Sequence, residues 1–160
     1  MLFHPEQEFF PGLDPASRQL MQATIGFFEE KGLARIKEDD HERRWYADFL
    51  EFVRRQKLFA TLLTPPQYAP GNPGAAWDTY RNCALNEILG FYGLSYWYAW
   101  QVSILGLGPI WMSPNEKIKH LTGELLDQGG IFGFGLSEKA HGADLYSSEM
   151  MLTPMGDGAY

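Results

Sequence analysis

Five residues that could do chemistry fall within one short stretch of this chain: Ser137, Glu138, Lys139, His141 and Asp144. They follow an apolar run, Ile131 to Leu136, that is punctuated by glycine and free of charge. Such a run is how a strand covered on both faces is written, and a polar turn at its end is where reactive groups are held. Familiar templates do not fit. Gly135-Leu136-Ser137-Glu138-Lys139 starts like a nucleophile elbow, but lysine stands where the second glycine must be. Gly130, Gly133 and Gly135 lie within the strand pattern and in the wrong order for a dinucleotide fingerprint. His4, His41, His120 and His141 show no metalloprotease spacing and have no cysteine partners. His120 and Glu124 are four apart on one predicted helix face and could share a metal, although a simple exposed pair accounts for them.

The elements that must carry this stretch are mostly helical. Asp14-Pro15 is a helix start, a capping residue followed by proline at the first helical position, and Gly32 is a stop. Leu20, Ile25, Phe27 and Phe28 supply its apolar stripe. A second helix is expected from about Asp40 to Lys57, with Trp45, Phe49, Phe52 and Val53 on one face. Leu58 to Leu63 is a short apolar run, and the prolines and glycines of residues 64–76 then make an ordered connection. Trp77 to Phe91 and Leu94 to about Leu105 read as two more helices. Ser113-Pro114-Asn115-Glu116 opens another, running through Leu125 with Ile118, Leu121 and Leu125 apolar.

After Gly129-Gly130 the period changes. Ile131 to Leu136 reads as strand, and Ser147 to Thr153 as a weaker one. Residues 154–158 read as a turn, and Ala159-Tyr160 as the first step of a returning strand. The fold class expected is therefore mainly α: a helical domain over residues 1–130, then the beginning of a β-domain over 131–160.

Composition narrows the function classes. With 45% hydrophobic and 15% aromatic residues the chain has enough to build a core. A net charge of −7 gives no electrostatic footprint for nucleic acid. Cys83 is the only cysteine, which excludes a disulfide framework and fits a reducing, cytoplasmic setting. The uncharged stretch from Ile88 to Asn115 is long enough to span a bilayer, but its glycines and prolines favour two buried helices.

Five blocks in order carry a family resemblance over about half of the chain. Pro66-Gln67-Tyr68 with its glycine-containing loop, Asn86-Glu87-Ile88-Leu89-Gly90, Gly106-Leu107-Gly108-Pro109-Ile110, Asn115 to Leu121, and the strand ending in Ser137-Glu138 resemble the acyl-CoA dehydrogenase family. There the helical domain runs into a β-domain whose first strand lies beneath a flavin ring. The resemblance implies FAD as cofactor, with Phe134, Leu136 and Ser137 against the isoalloxazine. It implies an acyl-CoA thioester as substrate, near Ala143 and along the helix bearing Trp97 and Gln101.

The implied reaction is α,β-dehydrogenation, with transfer onward to an electron acceptor and a homo- or hetero-oligomeric assembly. The family's base lies in a later helical domain, so no residue from 1 to 160 takes that role, and the chain alone is expected to be inactive. Lys139 stands where the family has proline and Ala143 where it has serine. Acyl-CoA oxidases, flavin-dependent monooxygenases and a non-catalytic partner subunit share the architecture and are the alternative readings.

Overall fold

A computed structural model describes residues 3–5 and 10–156. Seven α-helices are found among them, and they account for the core. Helix α1 (Pro15–Lys31) starts where expected: the Asp14 side chain accepts the Ser17 amide at 3.0 Å. Met21, Thr24, Ile25 and Phe28 are buried on one face, the spacing of an amphipathic helix. The Thr24 hydroxyl donates to the Leu20 carbonyl one turn back, so its burial leaves no donor unpaired.

The helix expected over about 40–57 begins only at residue 47, and a helix that the pattern did not mark precedes it. Helix α2 (Leu33–His41) ends early and α3 (Ala47–Arg55) starts anew after a turn in which Arg43 takes a left-handed conformation. The break falls where Glu42-Arg43-Arg44 offers nothing to bury, and Ile36 alone anchors α2. Trp45, expected on the buried face with Phe49, Phe52 and Val53, is 65% exposed and stacks on Tyr46.

The short run Leu58–Leu63 is helix α4, with all six side chains buried. An element that is apolar all round has to sit inside the core, and α4 packs against α3, α6 and α7. The connection that follows is ordered, as its composition demands. The Asn72 amide donates to the Thr61 hydroxyl, and the Ala76 amide to the Thr61 carbonyl.

Helix α5 (Thr79–Tyr92) is capped by Asp78, and Gly93 alone joins it to α6 (Leu94–Met112). The expected end of α6 near Leu105 is passed by two turns. Pro109 lies inside the helix, where its ring forgoes a single backbone bond. The turn holds because the residues around it are packed: Leu107 is fully buried, and the Trp111 indole donates to the Leu63 carbonyl at 3.0 Å.

Helix α7 (Glu116–Asp127) is capped by Asn115 instead of Ser113, through the Ile118 amide at 3.1 Å. Its buried face is Thr122, Gly123 and Leu126, whereas Ile118, Leu121 and Leu125 are exposed. Small residues win there because the Tyr68 carbonyl lies against Gly123, and a Cβ at that position would collide with it.

The expected strands at 131–136 and 147–153 are corrected by the structure: no strand forms among the described residues, and one 3-10 turn, Leu145–Ser147, is the only regular element after α7. A strand exists only through ladder bonds to a neighbour, and here none is present to supply them. Gly156 has φ +87°, consistent with the expected turn at 154–158, but residues 157–160, including the returning strand, lie outside the described residues. No described helix is long and apolar enough to cross a membrane.

Phe28 is fully buried at the centre of this core, so Phe28→Ala is expected to cost about 3–5 kcal/mol. Urea denaturation followed by far-ultraviolet circular dichroism measures it; a loss below about 1 kcal/mol would show that the site collapses around the change.

Candidate functional site

Two places in the structure gather groups that could do chemistry. The first is the segment after α7. Its anchor is a single hydroxyl: Ser103 of α6, fully buried, accepts the Phe132 amide at 3.3 Å. The same hydroxyl donates to the Ala99 carbonyl at 2.9 Å. One turn further on, Gly106 lets the Gly133 carbonyl come so close that any Cβ would clash. Residues 132–133 are thus fixed to α6 by backbone, and Phe132 packs against the core.

Beyond this anchor the segment turns outward. Phe134 is 41% and Leu136 39% exposed, and Ser137 and Ala143 are exposed as well. Trp97 is half-buried against the core, and Gln101 is half-buried on the same helix as Ser103. The structure therefore ties the strand-like segment to the helix that carries Trp97 and Gln101. Among the described residues, no hydrogen bond joins Phe134, Leu136, Ser137 or Ala143 to Trp97 or Gln101. Of the other α6 rings, Trp100 is fully buried edge-on against Phe59, and Tyr96 is buried against Phe28 and Phe49. Those two rings build the core.

The polar turn is organised by its carboxylates. Glu138 accepts from the Ser148 hydroxyl at 2.6 Å, the Glu149 amide at 3.0 Å and the Met150 amide at 2.5 Å. These donors hold its carboxyl below the usual range, the Glu149 amide first. Asp144 is lowered in the same sense, chiefly by the His141 ring at 2.7 Å. Both roles were invisible in the sequence, since they depend on which amides the turn brings round.

The second place is a cleft of about 370 Å³ among the end of α1, α2 and the α5–α6 junction. Its floor is an ion-pair network. Lys31, with a side chain only 9% exposed, contacts Asp39 at 2.9 Å and Asp48 at 2.5 Å, and its ammonium lies 5.7 Å from the Tyr96 ring centre. Burial alone would lower the Lys31 ammonium, but hydrogen bonds to Asp48 and Asp39 outweigh it and hold it above its ordinary value. Asp39 is lowered in turn, first by its bond to Lys31. At its rim, Tyr92 donates to Glu29 at 2.5 Å; burial, then Glu29, raises its phenol above the ordinary value. No predicted site residue lines this cleft. The sequence offers no signal for it, because Lys31 meets Asp48 only when α1 and α3 pack.

Neither place gathers three or more metal-ligating side chains among the described residues. The His120 ring stands edge-on to Tyr68, 5.1 Å between centroids. Comparison with protein-family models, with curated proteins and with solved structures gave no match.

The cleft network has a pH signature. The Asp39 contribution to stability is complete above the ordinary aspartate pKa and disappears as pH falls through its lower folded value; that of Lys31 is complete below the ordinary lysine pKa and disappears as pH rises through its raised one. Lys31→Met is therefore expected to lower stability at neutral pH and to flatten the acid limb of the stability–pH curve, read by urea midpoints at several pH values. An unchanged acid limb would show that Asp39 does not depend on Lys31.

At the anchor, Gly106→Ala is expected to push residues 132–133 off α6. Faster amide exchange at Phe132, with exchange in α1–α5 unaltered, is the outcome that checks it.

Proposed function

We propose that this chain forms the amino-terminal helical part of an acyl-CoA dehydrogenase-type flavoprotein, with residues 134–137 as a wall for the ring of FAD. The observation that carries the proposal is the exposure of an uncharged apolar segment directly beyond a backbone anchor. A flavin ring requires a flat apolar wall that does not move, together with a few donors at its edge. Phe134 and Leu136 offer the apolar surface, Ser137 a hydroxyl, and the segment's amides are not used by any ladder. The Ser103 and Gly106 contacts supply the rigidity. The order of elements, helices followed by this segment, supports the same reading, as do the five sequence blocks on which the resemblance rests.

Substrate and reaction follow from the resemblance: an acyl-CoA thioester, dehydrogenated across its α,β-bond, with an electron acceptor downstream. Trp97 and Gln101 lie on the helix that would flank the acyl group, and Ala143 beyond the turn. FAD when bound would supply the hydride acceptor. The chain's own residues would position it: α6 fixes the segment, and the segment presents its wall. Binding energy drawn from one wall alone would hold FAD weakly.

FAD titrated at millimolar concentration into the isotope-labelled chain tests this. The expected result is amide perturbation concentrated at Phe134–Ser137, weakened about fivefold by Phe134→Ala, the size of one lost aromatic contact. Perturbations scattered over the helices, or centred on the Lys31 cleft, would overturn the proposal.

A further inference from the structure

Helix α6 is the longest helix among the described residues, and no charged residue stands anywhere along it. A helix written this way is normally covered on every side. Here one side is left open. Tyr96, Trp100, Ser103 and Leu107 are buried, whereas Leu94, Tyr98, Leu105 and Met112 are exposed, Met112 at 87%. With 3.6 residues to the turn, the exposed residues lie opposite the buried ones, and the half-buried Gln101 and Gly108 fall on the exposed side.

This face has a regular spacing. Leu94, Tyr98, Gln101, Leu105, Gly108 and Met112 follow one another at alternating intervals of four and three residues. That alternation makes the seam along which two helices interlock, knobs into holes. The order is also self-complementary. When two copies of α6 are laid antiparallel about a two-fold axis level with residue 103, Leu94 meets Met112 of the second copy, Tyr98 meets Gly108, and Gln101 meets Leu105. Each pairing then occurs twice, as a two-fold contact requires. The large Tyr98 ring falls opposite the one position without a side chain, and that notch is open: a Cβ placed on Gly108 would have nothing within 4 Å.

The exposed area points the same way. The chain presents 10513 Å² to solvent, whereas a compact monomer of 18.2 kDa presents about 8,100 Å². The difference, about 2,400 Å², is roughly three times the 800 Å² or so that a standard interface takes from each partner. The extended segment after α7 carries part of it, and the open face of α6 is the part borne by a regular element.

We propose that the outer face of α6 is a homodimer interface, in which two copies of this chain pack α6 against α6 in antiparallel fashion with the Tyr98 ring of each seated over Gly108 of the other. The inference stands apart from the flavin reading, because the seam lies on the side of α6 turned away from Ser103. A dimer formed this way covers Gln101 and leaves Trp97, on the flank of α6, outside the seam. No charge enters the interface, so the net −7 of each copy opposes association only at long range, where salt screens it.

Sedimentation equilibrium of the whole chain at micromolar concentrations tests this. The expected result is a species of twice the chain mass that becomes more abundant at high salt. Leu105→Glu sets like charges beside the two-fold axis and is expected to give monomer, with far-ultraviolet circular dichroism unchanged because Leu105 is exposed. Gly108→Tyr fills the notch and is expected to weaken association by about tenfold or more. Adding Tyr98→Ala to it should restore most of the loss, since ring and notch have then exchanged places. A general loss of apolar surface would not be rescued in this way, because the second change would deepen it.

A chain that stays monomeric at every concentration would overturn the proposal, as would a dimer that tolerates Leu105→Glu. A Gly108→Tyr defect that Tyr98→Ala makes worse would rule out the antiparallel seam. Dissociation by salt would do the same, since it marks an ion-paired contact instead of an uncharged one.

Discussion

Four helices meet on one ring. Phe28 of α1 stacks on Tyr92 of α5 at 4.6 Å, on Phe49 of α3 at 5.7 Å, and stands edge-on to Tyr96 of α6 at 4.9 Å. It is completely buried, and the remaining rings, Phe27 and Phe52, close the cluster on the α1–α3 side. Aromatic pairs in these geometries each add about 0.5–1.5 kcal/mol beyond their buried area. Everything else hangs from this arrangement. Stacking Tyr92 and Tyr96 on opposite sides of Gly93 fixes the junction between α5 and α6, and α6 in turn presents Ser103 and Gly106 to the segment that follows α7. The Lys31 network is a by-product of the same packing, since it forms where the ends of α1, α2 and α3 are brought together.

Much of this was readable from residue pattern. Asp14-Pro15 and the Ser113–Glu116 stretch marked two helix starts, because a capping side chain and a following helical run are local matters. The proline-rich connection was readable for the same reason. What failed were features that depend on partners far along the chain. Nothing local distinguishes Glu42–Tyr46 from the helix around it; the break follows from the absence of anything for those side chains to bury against. Ile118, Leu121 and Leu125 made a stripe on α7, yet the buried face was set by the approach of Tyr68 to Gly123, a contact between residues more than fifty positions apart. Leu58–Leu63 was ambiguous by length alone, and packing on three sides decided it.

The strand reading of residues 131–136 failed in an instructive way. Its composition is that of a covered strand, and the structure gives it an anchor, but a strand is a property of a pair. Ser103 behaves as a partner of one residue: a single hydroxyl accepts from the amide of Phe132, one of the bonds a neighbouring strand would supply along its whole length. Past that point the chain has the sequence of a buried element and the surroundings of an exposed one. Ile131, Phe134, Leu136, Leu145, Met150, Met151 and Leu152 all stand substantially in solvent.

The candidate site was legible to the extent that it is continuous in sequence. Phe134, Leu136 and Ser137 are neighbours on the chain, so their apolar-then-polar pattern could be read directly. Trp97 and Gln101 could be joined to them only through a family resemblance, and in the structure the segment meets their helix at Ser103, through its hydroxyl, and at Gly106, through its missing side chain. What Glu138 binds could not be read from pattern, because its partners arrive from ten to twelve residues further on. Physically, the segment has one support: the Ser103 hydroxyl and the space left by Gly106 hold its entry at Phe132–Gly133, and beyond that point Phe134 and Leu136 stand in solvent.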